Sequence, residues 1–430
     1  MSAITGQLWI TSPKDEVLMI RMRCIGAIFA YNLLFTFKKP SKLRFAFIIF
    51  KYFPYGGMQR DMLRTANELI KRGHTVDIFT LSWDAALPDN IKVHVLPQQA
   101  WFNYQRYQKF IEVVGLKIKS AHIKHANFDY IFGYNRMAGL DAHFAADPCF
   151  IERAHKQRSF LYRLLPRYKW FAACEKAVFS SESNTQILAV SLIEVPHFSK
   201  WYGTQAARFH YIPPYLSPER FVLQDKAAMR KHLRETFSFG ADDFVYLLTG
   251  SGFAMKGLDR AILALHALPD DLRANTRLVA VGQDNPKKFQ AMAKKLGLQN
   301  NIVVSKGRSD TPQLMQGADA CIHPAYRENT GLVILEGMAC GAPMLVTASC
   351  GYAQYVADAK AGLVSAMPFD QAKFNQQFLQ LRQSDEHVQW SANGLQYVQK
   401  IMQANDGSVE AEILIDLAKQ KQQLTRNLST

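Results

Sequence analysis

Two glutamates stand out in the segment HPAYRENTGLVILEGMACGAPML (323–345). Glu328 is predicted in a loop, and Glu336, eight residues later, two turns into the helix that Gly331 opens. Free N–H groups at such a helix start can bind phosphate oxygens, and a carboxylate at Glu336 could accept both hydroxyls of a ribose. Glu328 would then hold the hydroxyls of another sugar. The two acids could be only solvated charges, but an acid in so apolar a helix is rarely buried without a partner.

Two cations could complement these acids. Lys256 ends the glycine-bearing loop GSGFAMKG (250–257) at a helix start, and Arg308 lies in the loop KGRSD (306–310) after a later strand. A lysine in this position suits a phosphate, although the loop is not a Walker A sequence and a surface lysine there is also common. As a pair from separate loops, Lys256 and Arg308 are predicted to neutralise a departing diphosphate.

A third glycine loop, KYFPYGGMQRD (51–61), follows the first predicted strand. Gly56 and Gly57 could adopt positive φ and bring N–H groups to an anion at the next helix start. The pattern is not G-x-G-x-x-G, so it predicts no dinucleotide site, and a plain tight turn also explains it. No D-x-D occurs in the chain, so we expect no divalent metal at the diphosphate and no other metal site.

These loops follow strands in two successive series of short apolar strands and helices, separated by the pair Pro213–Pro214. Such alternation predicts an α/β protein whose parallel, doubly wound sheets bind ligands at the carboxyl ends of their strands. We therefore expect two Rossmann-like domains facing a central cleft. The predicted boundaries are 42–213 for the first domain, 214–404 for the second, and 405–430 for a C-terminal helix that could pack back on the first.

Residues 1–41 lie outside this alternation. Their apolar stretch at 24–37 has basic flanks, but it is shorter than the ~20 residues that a membrane-spanning helix needs, and no clear A-x-A cleavage site follows. The segment is either an interfacial membrane segment or a mis-called start, with Met19 and Met22 as internal alternatives. The sequence favours neither.

The net charge of +15 is unevenly distributed. Residues 42–215 hold 23 Lys or Arg against 13 Asp or Glu, an excess of ten, whereas residues 216–430 have an excess of only two. A basic half indicates an anionic surface or substrate, unless the charge only aids solubility. Six scattered cysteines without C-x-x-C pairs argue against a zinc site or a disulfide framework and fit a reducing cytosol.

The E-x7-E pattern after a strand, with a KG loop upstream and GG near the first strand, resembles the retaining glycosyltransferases of family 4, which have the two-lobed GT-B fold. The resemblance covers about residues 43–400 and is strongest to members that add glucose to the inner-core heptose of lipopolysaccharide. It implies UDP-glucose as donor and a lipopolysaccharide core acceptor, and we expect no cofactor. The segments that carry it, in the same order, are KYFPYGGMQRD, RGHTVDIFTLSWD, GLDAHFAAD, FLYRL, VGQDNPKKF, HPAYRENTGLVILE and CGYAQYVADA.

The resemblance also implies roles for individual residues. Glu328 would bind the glucose hydroxyls, Asp141 would lie near the sugar being transferred, and Lys256 and Arg308 would stabilise the leaving diphosphate. The close relatives have a basic residue where this chain has Met255, a loss for which Arg60 could compensate. The residues predicted to contact UDP or its sugar are Gly56, Gly57, Arg60, Lys256, Arg308, Gly331, Leu332 and Glu336.

Basic and aromatic residues alternate in RSFLYRLLPRYKWF (158–171) without any acid. This mixture suits an interface with anionic lipid, although nucleic-acid binding and an ordinary helix with an aromatic core face remain alternatives. Because the implied acceptor is membrane-anchored, we predict a cytoplasmic protein attached peripherally to the inner face of the inner membrane, with no nucleic-acid partner. The residues predicted to contact lipid are Arg158, Arg163, Arg167, Lys169 and Trp170.

Two rival functions fit the same architecture. A UDP-sugar 2-epimerase would act on the UDP-sugar alone, without an acceptor. A non-catalytic nucleotide-sugar sensor or membrane scaffold would keep its biological role after Glu328→Ala. The sequence does not decide the oligomeric state.

Overall fold

The computed structural model describes residues 42–54, 56–123 and 127–427, which form two compact units. One unit runs up to Pro213 and resumes at Gly407, and the other spans Pro214–Asp406. The predicted segment 1–41 lies outside the described residues. Each unit is built around a parallel sheet.

The described residues of the first unit form a seven-stranded sheet. Its strands are β1 (Arg44–Tyr52), β2 (Thr75–Trp83), β3 (Lys92–Val95), β4 (Tyr130–Gly133), β5 (Ala142–Ala145), β6 (Gln186–Ala189) and β7 (Phe209–Tyr211). Their order in space is β3-β2-β1-β4-β5-β6-β7. Both faces of β1 are buried: Phe45 and Phe47 enter one core cluster, whereas Ile48 and Phe50 enter another. This two-sided burial explains the unbroken apolar sequence of the strand.

The helices of this unit connect its strands. The first helix ends at Lys71, and Gly73, two residues further on, has a φ of +88° that favours glycine. Their bounds are α1 (Gly57–Lys71), α2 (Asn103–Ile123), α3 (Phe150–Gln157), α4 (Phe160–Leu164), α5 (Pro166–Phe179) and α6 (Val195–Tyr202).

The second unit has a six-stranded sheet in the described residues. Its strands are β8 (Phe244–Thr249), β9 (Thr276–Val281), β10 (Ile302–Ser305), β11 (Ala320–His323), β12 (Met344–Thr347) and β13 (Gly362–Ser365). They are ordered β10-β9-β8-β11-β12-β13. The central strand β8 is again buried on both faces, with Val245 and Leu247 in one cluster and Tyr246 and Leu248 in the other.

Helices cover this second sheet, and the last helix of the chain belongs to the first unit. Their bounds are α7 (Lys226–Phe237), α8 (Phe253–Lys256), α9 (Leu258–His266), α10 (Asp270–Ala274), α11 (Lys287–Lys295), α12 (Thr311–Gly317), α13 (Leu332–Ala339), α14 (Ala353–Ala359), α15 (Gln371–Gln383), α16 (His387–Ala404) and α17 (Val409–Asn427). Helix α17 packs on α1 and β4, where the hydroxyl of Tyr134 donates to Glu410 at 2.8 Å.

In sequence order within each sheet, both units place six strands as 3-2-1-4-5-6, the arrangement of dinucleotide-binding folds. The predicted α/β class with two Rossmann-like sheets is therefore confirmed. In such sheets ligands bind beyond the carboxyl ends of the strands where the order reverses, which are β1 and β4 in the first unit and β8 and β11 in the second.

Candidate functional site

The loops after β8 and β11 meet at the switch point of the second sheet. Gly257, with a φ of +76°, lies so close to the carbonyl oxygen of Pro324 that a Cβ would collide with it. The N–H of Tyr326 donates to the carbonyl oxygen of Met255 at 2.9 Å. Backbone contacts therefore hold the Lys256 loop against the loop that carries Glu328.

Arg260 also holds these two loops together, and sequence reasoning did not identify it as a site residue. Its Nη1 donates to the carbonyl oxygens of Pro324 and Ala325 at 3.0 and 3.1 Å. Its guanidinium lies 3.6 Å from the ring centroids of both Tyr326 and Phe369. The sequence signal was an arginine on the buried face of α9, where a charge needs such partners.

Lys256, Glu328 and His323 form the charged centre of the site. Lys256 and Glu328 are joined in an ion pair, and each side chain is about one-fifth exposed. His323, buried at the end of β11, places Nε2 3.6 Å from Oε2 of Glu328. Burial would raise the pKa of Glu328, but His323 and Lys256 outweigh it and lower the pKa to about 2. The carboxylate is therefore ionised at neutral pH, while burial lowers the pKa of His323.

The start of α13 lies beside Glu328. Gly331 has a φ of +86°, and a Cβ on it would approach Cγ of Glu328 to 3.3 Å. The N–H of Tyr352 donates to the carbonyl oxygen of Thr330 at 2.8 Å and fixes the turn. The turn holds Gly331 at the N-cap, where helix N–H groups that begin at Leu332 are suited to an anion.

Glu336 has a cationic neighbour that the sequence analysis missed. Nη1 of Arg220 lies 3.9 Å from Oε1 of Glu336, whose side chain is 17% exposed. The expectation that an acid in this apolar helix needs a partner therefore agrees with the geometry. No local pattern pointed to Arg220, which lies in a short 3₁₀ turn more than a hundred residues earlier.

The predicted joint action of Arg308 and Lys256 on a diphosphate stays a prediction. Arg308 follows β10, which is separated from β8 by β9, or roughly 10 Å at two strand spacings. Its Nε and Nη2 instead donate to the two carboxylate oxygens of Asp310, each at 2.7 Å. Lys256 pairs with an acid and Arg308 with another, so the two cations are not a preformed diphosphate clamp.

Gly56 and Gly57 also differ from expectation. Neither has a positive φ: Gly56 is extended at the N-cap of α1, and a Cβ on it would collide with the side chain of Gln59. Nothing lies within 4 Å of a Cβ built on Gly57. Neither glycine therefore forms a left-handed turn, and only Gly57 leaves open space at the start of α1, where Arg60 lies exposed in the first turn.

The position of Asp141 contradicts its predicted place near the donor sugar. It immediately precedes β5 and so lies at the amino end of the strand, opposite the edge where ligands bind. Its carboxylate accepts from the N–H of Ile131 at 2.8 Å and from Lys421 of α17 at 2.7 Å. The same motif, GLDAHFAAD, places exposed Asp147 beyond the carboxyl end of β5. Strand direction, which the motif alone does not reveal, distinguishes these two acids.

The basic and aromatic segment 158–171 forms α4 and the start of α5. Trp170 is partly buried against a core cluster, so only part of its ring is available for the predicted contact with lipid. Arg158, Arg167 and Lys169 are exposed, whereas Nη1 of Arg163 contacts Nδ1 of His155 at 2.8 Å. The apolar side chains that are exposed instead form the α4 patch: Phe160, Leu161, Leu164 and Leu165.

Helices long and apolar enough to cross a bilayer are absent from the described ranges. In that same part of the chain, no group of three or more His, Cys, Asp or Glu side chains is arranged to hold a metal ion. The predicted absence of a metal requirement stays a prediction.

Two doubly wound parallel sheets, with a helix start suited to an anion and a lysine–glutamate pair at the switch point of the second, are typical of a GT-B-type glycosyltransferase. Models of two glycosyltransferase families match the chain. "Glycosyl transferases group 1" matches residues 229–396, and "Glycosyltransferase Family 4" matches residues 55–220.

Individual relatives agree with these matches. The lipopolysaccharide glucosyltransferase WaaG of Escherichia coli K12 is 39% identical over 353 residues, 82% of this chain and 93% of that protein. The crystal structure of WaaG superposes with a TM-score of 0.76 at 37% identity and covers 86% of this chain and 99% of its own. The D-inositol 3-phosphate glycosyltransferase of Stackebrandtia nassauensis is 26% identical over 72% of this chain and 75% of its own. The chain belongs to the family 4 glycosyltransferases, which favours the transferase over the epimerase and the sensor.

Proposed function

We propose that this enzyme transfers glucose from UDP-glucose, with retention of anomeric configuration, to a heptose of the lipopolysaccharide inner core. The observation that carries the proposal is the 39% identity to WaaG, a lipopolysaccharide glucosyltransferase, over 93% of its length. The Lys256–Glu328–His323 cluster lies within that resemblance and supplies the chemistry a nucleotide sugar needs.

Donor binding would exchange the partners of the ion pair. Lys256 would leave Glu328 for the diphosphate, and Glu328 would accept hydrogen bonds from the glucose hydroxyls. The N–H groups at Gly331 and Leu332 would receive phosphate oxygens at the start of α13. Glu336 would accept the ribose hydroxyls, with Arg220 holding its carboxylate in place.

In the transfer step, the bond from the anomeric carbon to the phosphate oxygen breaks, and UDP leaves with the electron pair. The acceptor oxygen forms its bond on the same face of the sugar, and its proton passes to the departing phosphate. Lys256 and the amides of α13 stabilise the growing negative charge on UDP. The step needs fixed cations and amides, not a divalent metal.

The test is direct. Purified protein is incubated with several UDP-sugars and a heptose-terminated core lipid, in EDTA, and products are identified by mass. We expect one added hexose with UDP-glucose, and no turnover of the donor into another UDP-sugar without acceptor. Transfer from none of the donors would refute the proposal, and a requirement for added Mg²⁺ would refute its metal-independent form.

We further propose that the first unit binds the anionic inner face of the inner membrane. Arg158, Arg167 and Lys169 flank the α4 patch in the chain. The apolar side chains of the patch could insert into the bilayer, and the three cations would attract anionic lipid. The excess of ten positive charges in residues 42–215 strengthens the attraction.

Liposome flotation tests this attachment. A variant with Arg163, Arg167 and Lys169 replaced by Glu should lose binding to anionic vesicles, because reversal of three charges turns attraction into repulsion. A control with charge reversals at Lys231, Lys294 and Lys295 of the second unit should float like the wild type. Equal flotation of both variants would contradict the proposal.

A further inference from the structure

The loop between β3 and α2 exposes two aromatic residues at its end. Trp101 is 98% exposed and Phe102 is 62% exposed; we call them the aromatic tip. Aromatic side chains normally bury most of their large surface, so a pair left in water does little for folding and is suited to an external partner.

A row of aromatic contacts connects the tip, through helix α5, to Tyr162 of helix α4. Phe102 lies 6.0 Å from Tyr104 between ring centroids, and Tyr104 lies 6.5 Å from Trp170 on α5. From Trp170 the contacts continue at 4.8 to 5.9 Å through Phe171, Phe150, Tyr168 and Tyr162. The tip and the α4 patch are therefore two ends of one aromatic array within the first unit.

The helix behind the tip carries the charge that an anionic surface attracts. Exposed Lys109, Lys117 and Lys119 lie along α2, against one exposed acid, Glu112. Nζ of Lys109 donates to the carbonyl oxygen of Gln99 at 3.0 Å, so one cation is held beside the base of the tip. Aromatic rings next to lysines are typical of a protein surface at the lipid headgroup level.

We propose that Trp101 and Phe102 insert into the interfacial layer of an anionic bilayer and form a second membrane anchor beside the α4 patch. The inference rests on the membrane attachment proposed above. Two separated anchors fix the orientation of the first unit on the membrane, whereas one anchor leaves it free to tilt. The tip residues have no part in the donor site, so they act on access to a lipid-anchored acceptor and not on the transfer chemistry.

The experiment uses the full chain and vesicles of phosphatidylethanolamine and phosphatidylglycerol with brominated acyl chains, which quench tryptophan on contact. Vesicles should quench the wild type, and Trp101→Leu should lose most of that quenching while it still floats, because leucine keeps an apolar side chain. The double variant Trp101→Ser, Phe102→Ser should bind vesicles about tenfold more weakly and keep full activity on a water-soluble, delipidated core acceptor. Val388→Ser is the matched control, at a residue of the second unit that is 80% exposed. It should change neither the affinity for vesicles nor the activity on the water-soluble acceptor.

The outcomes separate the two proposals. Undiminished quenching in Trp101→Leu, or unchanged vesicle affinity in the double serine variant, overturns the second anchor even where charge reversal near α4 abolishes flotation. Failure of the wild type to float overturns the anchor and the membrane attachment together and leaves glycosyl transfer to be judged by its own assay. A change of Trp101 emission on adding water-soluble core saccharide without vesicles would make the tip a sugar platform and would also overturn the inference.

Discussion

At the scale of single residues, the proposed donor site contains a lysine and a glutamate that neutralise each other's charge. Lys256 and Glu328 neutralise each other at the end of the loop after β8, with His323 buried behind the carboxylate. A partly buried charge without a partner is costly, so the pair stabilises the site until a donor supplies replacements for both partners. Under the proposed function, the pair would therefore link recognition of the sugar to recognition of the diphosphate.

This exchange predicts opposite effects of the two partners on binding of UDP, which has the phosphates but no glucose. Lys256→Met should weaken UDP binding about tenfold or more and lower kcat/KM by about 10²–10³. Glu328→Gln should lower kcat/KM by about 10² but leave UDP affinity unchanged or tighter, because Lys256 is released. Titration calorimetry with UDP and initial rates with UDP-glucose measure the two effects.

The exposed pair Lys231 and Glu235 on α7 supplies the matched controls. Lys231→Met and Glu235→Gln make the same chemical changes away from the site and should leave both quantities unaltered. Weaker UDP binding in Glu328→Gln than in the wild type would contradict the exchange of partners.

At the scale of elements, the site depends on how closely two loops approach. Gly257 permits the contact with Pro324, and Arg260 bonds the same stretch through its guanidinium. Neither residue needs to touch a ligand to matter, because together they set the position of Lys256 relative to Glu328. The short strands beneath are rigid supports, since β8 and β11 are buried in the centre of the sheet.

Gly257→Ala tests this close approach. Alanine at positive φ costs about 1–2 kcal/mol, and its Cβ must also push the Pro324 carbonyl away. Gly297→Ala is the control, because Gly297 has a similar φ of +72° with nothing near a Cβ. We expect both variants to lose thermal stability, but only Gly257→Ala to lose more than about tenfold in kcat/KM. Equal activities of the two variants would show that the approach of the loops is irrelevant to catalysis.

At the scale of the whole molecule, the chain leaves the first unit after Pro213 and returns to it at Gly407. The returning helix α17 is fixed at its first turn by Glu410, which is buried against Tyr134, with Arg64 at 3.4 Å. Burial raises the pKa of Glu410 to about 7 from 4.5, against the charge of Arg64 and with the help of Asp61. The folded protein therefore holds a proton there that the unfolded chain releases.

Stability should fall as pH rises from about 4.5 to 7, because in that window the folded state binds more protons than the unfolded state. The contribution of Glu410 is present below pH 4.5 and is lost as pH passes the folded pKa, an effect on the order of 3 kcal/mol. Glu410→Gln removes this titration. The urea midpoint of the variant should therefore rise relative to that of the wild type as pH increases from 5 to 8. Glu412→Gln, whose parent side chain is half exposed on the same helix, should show no such gain. If the difference in urea midpoint between Glu410→Gln and the wild type stayed constant across pH, a proton on Glu410 in the folded state would be ruled out.

The sequence by itself determined the fold class and the family. Alternating apolar strands and helices, the Gly73 helix stop and the ordered motifs from KYFPYGGMQRD to CGYAQYVADA are local features, and local features can be read without knowing which strands pair. The Lys256 loop, Glu328 and the Gly331 helix start were also placed correctly, because each comes after an apolar strand or opens a helix.

Only the tertiary structure decided which of these residues meet. Strand order puts β8 beside β11, so Lys256 contacts Glu328, while β9 separates it from the β10 loop of Arg308. Strand direction puts Asp147, not Asp141, at the ligand-binding edge of β5, and long-range packing brings Arg220 to Glu336 and partly buries Trp170. These outcomes depend on hydrogen bonds and burial between segments far apart in the chain, and no spacing along the sequence encodes them.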